Sequence, residues 1–149
     1  MAEVLPARAQ VVVVGGGAIG TSVAYHLTKM GVRDVVLLER KELTAGTTWH
    51  AAGLITSAGM PTETFLWMSR YTTDLLPRLH AETGQDTGFR TIGHLHLACT
   101  PQRLETVTRE AIFAAAHGVP VELVGPGEVA RHWPAAKVDD ILAAAWVPD

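Results

Sequence analysis

Cysteine is almost absent from these 149 residues, with Cys99 standing alone. One thiol excludes an intramolecular disulfide framework and any zinc site built from several cysteines. The role expected for Cys99 is a small buried apolar side chain. Charge is sparse too: Asp, Glu, Lys and Arg make up 18% of the chain against 48% apolar residues, which indicates a globular chain rather than a disordered one. The net charge is −3 with histidine neutral, and the Lys and Arg residues are scattered. Neither a nucleic-acid footprint nor a basic membrane-binding face is therefore expected. No apolar run approaches the ~18–20 residues that a membrane span needs. The opening MAEVLPARAQ has no apolar stretch and one arginine. It resembles neither a secretory nor a transit peptide, so a cytoplasmic setting is expected.

What the chain does have is glycine in one telling place. Val11–Val14 is a β-branched run of the kind buried on both faces of a parallel sheet. Glycines follow at once, and a helix is expected from Ala18 to about Met30, with Ile19, Val23, Ala24 and Leu27 facing inward. Gly31 suits the helix end. Residues 35–38 read as a second buried strand ending in Glu39. Gly15, Gly17 and Gly20 occupy the three named places of G-x-G-x-x-G, with Ala18 and Ile19 between the last two. The first glycine permits a tight turn, the second lets a pyrophosphate approach the backbone, and the third lets helix and strand pack closely. The helix start then offers N–H groups and a positive dipole end to phosphate. Glu39, 24 positions after Gly15, is placed to bind a ribose, at close to the usual ~20-residue spacing. An acid there disfavours a 2′-phosphate, and the motif alone leaves NAD and FAD open.

Further on, residues 44–59 read as a loop of small residues with a short helical turn. A helix is expected from Pro61 at its first turn to Gly84, kinked at Pro77 because Thr73 loses its bonding partner. Strands are expected over 92–97, 121–123 and 141–147, and helices over 101–117 and 127–133. His94 and His96 should face the same way on their strand, but no third ligand is indicated and no metal site is expected. Trp49 could pack on a cofactor or fill core. Glu110, His80, His117 and His132 carry no signal beyond ordinary helix and turn positions. The abrupt stop after an apparent strand suggests an incomplete domain.

The run LLERKELTAGTTWHAAGL resembles the N-terminal region of the dimethylglycine dehydrogenase and sarcosine dehydrogenase group, flavoprotein amine oxidoreductases of the D-amino-acid-oxidase-like superfamily. ETGQDTGFRTIGHLHLACTPQRL, GPGEVARHWP and ILAAAWVPD resemble the same group in order and spacing. The resemblance implies an α/β, Rossmann-type FAD/NAD(P)-binding fold. Residues 1–149 would be its N-terminal portion, with the dinucleotide-binding core and flavin loop at 9–60 and the start of a substrate-side region at 61–149. It implies FAD, with Arg40, Thr47, Thr48, His50, Gly53 and Leu54 joining the glycine turn and Glu39 as cofactor-binding residues.

In that group the histidine matching His50 is bonded to the 8α carbon of the flavin, a role an imidazole nitrogen can fill as a nucleophile. His50 lies eleven positions after Glu39, a length of chain that can span up to ~36 Å, enough to run from ribose to flavin ring. The reaction implied is hydride transfer to flavin from an N-methyl group of dimethylglycine or sarcosine, leaving an iminium that is either hydrolysed to formaldehyde or trapped by tetrahydrofolate on a separate later domain. The electron acceptor is open between oxygen and an electron-transfer flavoprotein. The resemblance implies that the catalytic groups come from later in the chain, so no catalytic base is named and the 149-residue chain alone is expected to be inactive. Two alternatives stand beside this reading: another flavin amine or D-amino-acid oxidase, and a truncated or non-catalytic homologue.

Overall fold

A computed structural model describes residues 6–148. The chain divides into two compact units, the first ending at Leu54 and the second beginning at Ile55.

In the first unit, strand β1 (Val11–Val14), helix α1 (Ala18–Lys29) and strand β2 (Val35–Leu38) form a βαβ unit. The two strands are parallel, with Val11 opposite Val35 and Val14 opposite Leu38. A 3-10 turn, Thr47–His50, follows. The elements fall where periodicity and the glycines place them, but the burial differs. Val12 and Val14 are exposed, and only Val11 and Val13 are half-buried. The sheet here has two strands, and α1 packs on the Val13 side, where a Cβ at Gly20 would lie 3.4 Å from the valine methyl. The inward face of α1 is Gly20, Ala24 and Leu27 rather than the expected Ile19 and Val23, which are exposed. Positions 20, 24 and 27 form one helical stripe, and 19 and 23 lie on the stripe beside it.

The second unit runs α2 (Glu63–Thr83), β3 (His94–Ala98), α3 (Pro101–Ala116), β4 (Glu122–Val124), α4 (Pro126–His132) and β5 (Ala143–Val147). The strands form an antiparallel sheet in the order β3-β5-β4. Alternation sorts its residues by face. Ala98 and Ala145 pack with Val107 and Ala111 of α3 on one side, while Ala144 and Val124 pack with Val129 of α4 and Ile141 on the other. Burying Val107 and Val129, both fully enclosed, stabilises the unit by about 1.5–3 kcal/mol each.

Element starts shifted where side chains or glycine overruled pattern. Helix α2 opens after Thr62, whose hydroxyl accepts from Phe65 N–H at 3.4 Å, so Pro61 lies outside it. The helix continues through Pro77 to the left-handed cap Gly84. Strand β3 begins at His94 because Gly93 is left-handed at φ +72° and lies against the Trp146 ring, where no Cβ would fit. Cys99, expected buried, is exposed: the ladder and its inward face end at Ala98, and Cys99 sits in the turn before the α3 cap. Among the described residues no helix is long and apolar enough to cross a membrane.

Candidate cofactor site

The glycine turn is the centre of the first unit. Strand β1 delivers the chain to Gly15, whose φ of +104° swings it away from the strand and whose N–H donates to the Leu38 carbonyl at 2.8 Å. A Cβ at Gly20 would overlap the Gly15 carbonyl oxygen, so only glycine lets α1 start this close to β1. Gly17 is the N-cap of α1 and no acidic residue occupies the first turn. The positive end of the helix is therefore not neutralised from within.

Glu39 reaches back to this turn from the end of β2. Its Oε2 accepts the Gly16 N–H at 2.8 Å and its Oε1 accepts the Lys41 N–H at 3.0 Å. These bonds hold its carboxyl below the usual value, the Gly16 bond first and the Lys41 bond next. A carboxylate oxygen has a second lone pair, so both oxygens keep acceptor capacity for ribose hydroxyls. Gly16 itself is buried, and a Cβ there would meet Leu43 and Glu39. Arg40 is exposed and adds a minor favourable charge to the carboxylate.

The loop beyond β2 folds onto the other side of the turn. Thr44, left-handed at φ +65°, donates its N–H to the Gly16 carbonyl at 2.9 Å. Thr48 Oγ1 accepts the Ala18 N–H at 2.9 Å. In the 3-10 turn the His50 ring places Nδ1 3.0 Å from the Gly46 carbonyl. A carbonyl only accepts, so Nδ1 carries the proton, and in the neutral ring the lone pair is then on Nε2. Trp49 is 68% exposed, so it fills no core here, and its ring lies 4.6 Å from the His50 ring. Thr47, Gly53 and Leu54 are exposed.

The structure thus joins Gly15–Gly20, Glu39 and Thr48 in one hydrogen-bonded set, with His50 two residues from Thr48. Pattern reading missed Thr44 and the Gly46 carbonyl. Both act through backbone atoms, which no side-chain motif records. These residues fit an FAD: a turn with no room for a Cβ at Gly20, an unneutralised helix start, an ionised carboxylate and an exposed imidazole nitrogen.

The second unit holds polar groups of its own. His94 and His96 do share a face, opposite Val147 and Ala145. It is the face covered by α3, where His96 Nδ1 lies 3.6 Å from Glu110 Oε2 and Arg103 Nη1 lies 3.8 Å from Glu110 Oε1. No group of three or more metal-ligating side chains occurs among the described residues. His117 joins α3 to α2. Its Nδ1 donates to the Phe113 carbonyl at 2.8 Å, its Nε2 to Glu63 at 2.7 Å, and its carbonyl accepts from Arg70 at 2.8 Å. Nothing in the sequence marks it, because Glu63 is 54 positions away. Glu63, Trp67, Arg70, Tyr71, Asp74 and His117 line an open groove of about 530 Å³. His132 stacks on Trp146 at 3.9 Å between ring centroids.

Comparison with known proteins adds the following. Residues 10–149 match the family described as FAD dependent oxidoreductase. The chain is 41% identical to dimethylglycine dehydrogenase of Rattus norvegicus, over 95% of this chain and 16% of that protein. It is 42% identical to the pyruvate dehydrogenase phosphatase regulatory subunit of Mus musculus, over 97% of this chain and 16% of that protein. Both relatives are named as mitochondrial. Among solved structures, L-proline dehydrogenase from P. horikoshii superposes with a TM-score of 0.87 at 26% identity, covering 97% of this chain and 37% of that one. The chain therefore spans about a sixth of the length of these curated relatives.

Proposed function

This chain belongs to the FAD dependent oxidoreductase family, and from that premise we propose that it is the cofactor-holding N-terminal part of an enzyme oxidising an N-methyl amino acid, dimethylglycine or sarcosine. When bound, the flavin supplies two-electron oxidation. The residues of this chain hold it. The Gly15–Gly20 turn and the start of α1 take the pyrophosphate, and Glu39 takes the ribose.

The observation that carries the reading is His50. Its Nδ1–H is engaged by Gly46 and its Nε2 is available, on a loop hydrogen-bonded to the phosphate turn. We propose Nε2 as the atom that joins the 8α carbon. Nε2 would hold the flavin as the nucleophile at that carbon, while the Gly46 carbonyl holds the Nδ1 side of the ring.

The test is acid precipitation of the full-length holoenzyme. Flavin should stay with the polypeptide, on a peptide containing His50, and His50→Ala should release it while still binding FAD reversibly. Complete release of flavin from the wild type would reduce His50 to a neighbour of the cofactor. A second reading is favoured by the 42% identity to a protein named as a regulatory subunit: a non-catalytic homologue that keeps the fold. Amine-dependent dye reduction by the full-length protein decides between them, since the regulatory reading expects none.

A further inference from the structure

Helix α1 has no capping side chain of its own, because Gly17 is its N-cap. The acceptor arrives from 30 residues away, where Ala18 N–H donates to Thr48 Oγ1. Gly17 leaves room for it, since a Cβ there would lie 2.9 Å from the same hydroxyl. Thr48 is half-buried, while Thr47, Trp49 and His50 of the same 3-10 turn are exposed. The turn closes on Thr48 as well, with the Ala51 N–H returning to the Thr48 carbonyl at 3.2 Å. The His50 ring is itself tied to this turn, with Nδ1 3.0 Å from the Gly46 carbonyl, so holding Thr48 sets the direction in which His50 projects.

We propose that Thr48 is a positioning residue whose hydroxyl registers the His50 turn on the N-terminus of the cofactor-binding helix. A hydroxyl accepts and donates at once. Its oxygen takes the Ala18 N–H, and its own O–H is left to donate at a helix end suited to anions. Phosphate binding and imidazole presentation then share one group. Valine has the same shape and neither capacity, and it would leave the Ala18 N–H without its partner. The inference rests on reading residues 44–54 as the flavin loop, but the latch does not require that His50 bond to flavin.

The experiment compares Thr48→Val and Thr48→Ser in the full-length protein by two readouts. Trypsin cleavage after the exposed Arg40 and Lys41 follows the open population of the loop. Acid-stable flavin incorporation at saturating FAD follows presentation of His50. Loss of a helix cap should speed cleavage and slow incorporation about fivefold in the valine variant, and serine should restore both to within about twofold. Thr48→Ala, which adds no bulk, should repeat the valine result if valine misfolds. Faster cleavage restored by serine, with no acid-stable flavin even in the wild type, upholds the latch and removes the covalent reading of His50. Cleavage of Thr48→Val and Thr48→Ala at the wild-type rate, or serine as loose as valine, overturns the latch whatever the flavin does.

Discussion

A carboxylate and a missing methyl group decide the geometry of the glycine turn. Glu39 accepts two backbone N–H groups and its carboxyl is held below the usual value, chiefly by Gly16. Its depressed value sets the sign of the pH effect: the stabilisation is present above the ordinary carboxyl value and is lost as pH falls through the folded one. Reversible FAD binding by His50→Ala protein should therefore hold down to the ordinary carboxyl value and weaken only as pH falls through the lowered one. Glu39→Gln should bind at least about tenfold more weakly at neutral pH, since hydrogen bonds to charged acceptors exceed neutral ones, and should show less of this acid dependence. Fluorescence titration of FAD across pH measures both, and an unchanged profile in the variant would remove Glu39 from the site. Gly20 offers a second residue-scale outcome. Gly20→Ala sets a methyl into the Gly15 carbonyl and should cost about 1–3 kcal/mol of stability, read by denaturant unfolding.

Elements are joined by contacts that sequence spacing does not announce. His117, at the C-cap of α3, donates from both ring nitrogens, to Phe113 and to Glu63 at the start of α2. Only the imidazolium can donate from both, so these bonds push the histidine up, the Phe113 carbonyl contributing most and Glu63 next. A raised value gives stability that is full below the unfolded histidine value, ~6.5, and lost as pH rises through the folded one. The second unit should unfold at higher denaturant near pH 6 than near pH 8. His117→Ala should flatten that dependence, and an equal slope in the variant would show the clasp to be unprotonated. Tryptophan fluorescence, to which Trp67 in the groove beside His117 contributes, provides the signal.

At the scale of the whole molecule, apolar side chains of the first unit face outward. Val12, Val14 and Leu38 of the two-stranded sheet, Ile19 and Val23 of α1, and Leu54 beyond the 3-10 turn are all exposed. Bare apolar surface and open strand edges promote association. The 149-residue chain by itself should run as aggregates or oligomers on size exclusion and show no amine oxidation. A monodisperse, yellow and active preparation of it would contradict this.

Local chemistry was readable from the chain alone. Four β-branched residues, three spaced glycines and an acid after the next hydrophobic run specified the βαβ unit and its turn. The helix expected from 101 does begin at Pro101, with Thr100 as its cap, because capping is a matter of adjacent residues. The TTWHAAGL stretch located the loop that carries His50. What needed the tertiary structure was every property set by distant partners. Which face of α1 is covered, the exposure of Cys99, the reach of Glu39 back to Gly16, and the 30- and 54-residue spans of Thr48 and His117 are of this kind. Periodicity reports which side chains share a face, but burial depends on what lies against that face. A hydrogen bond between distant residues leaves no spacing to read.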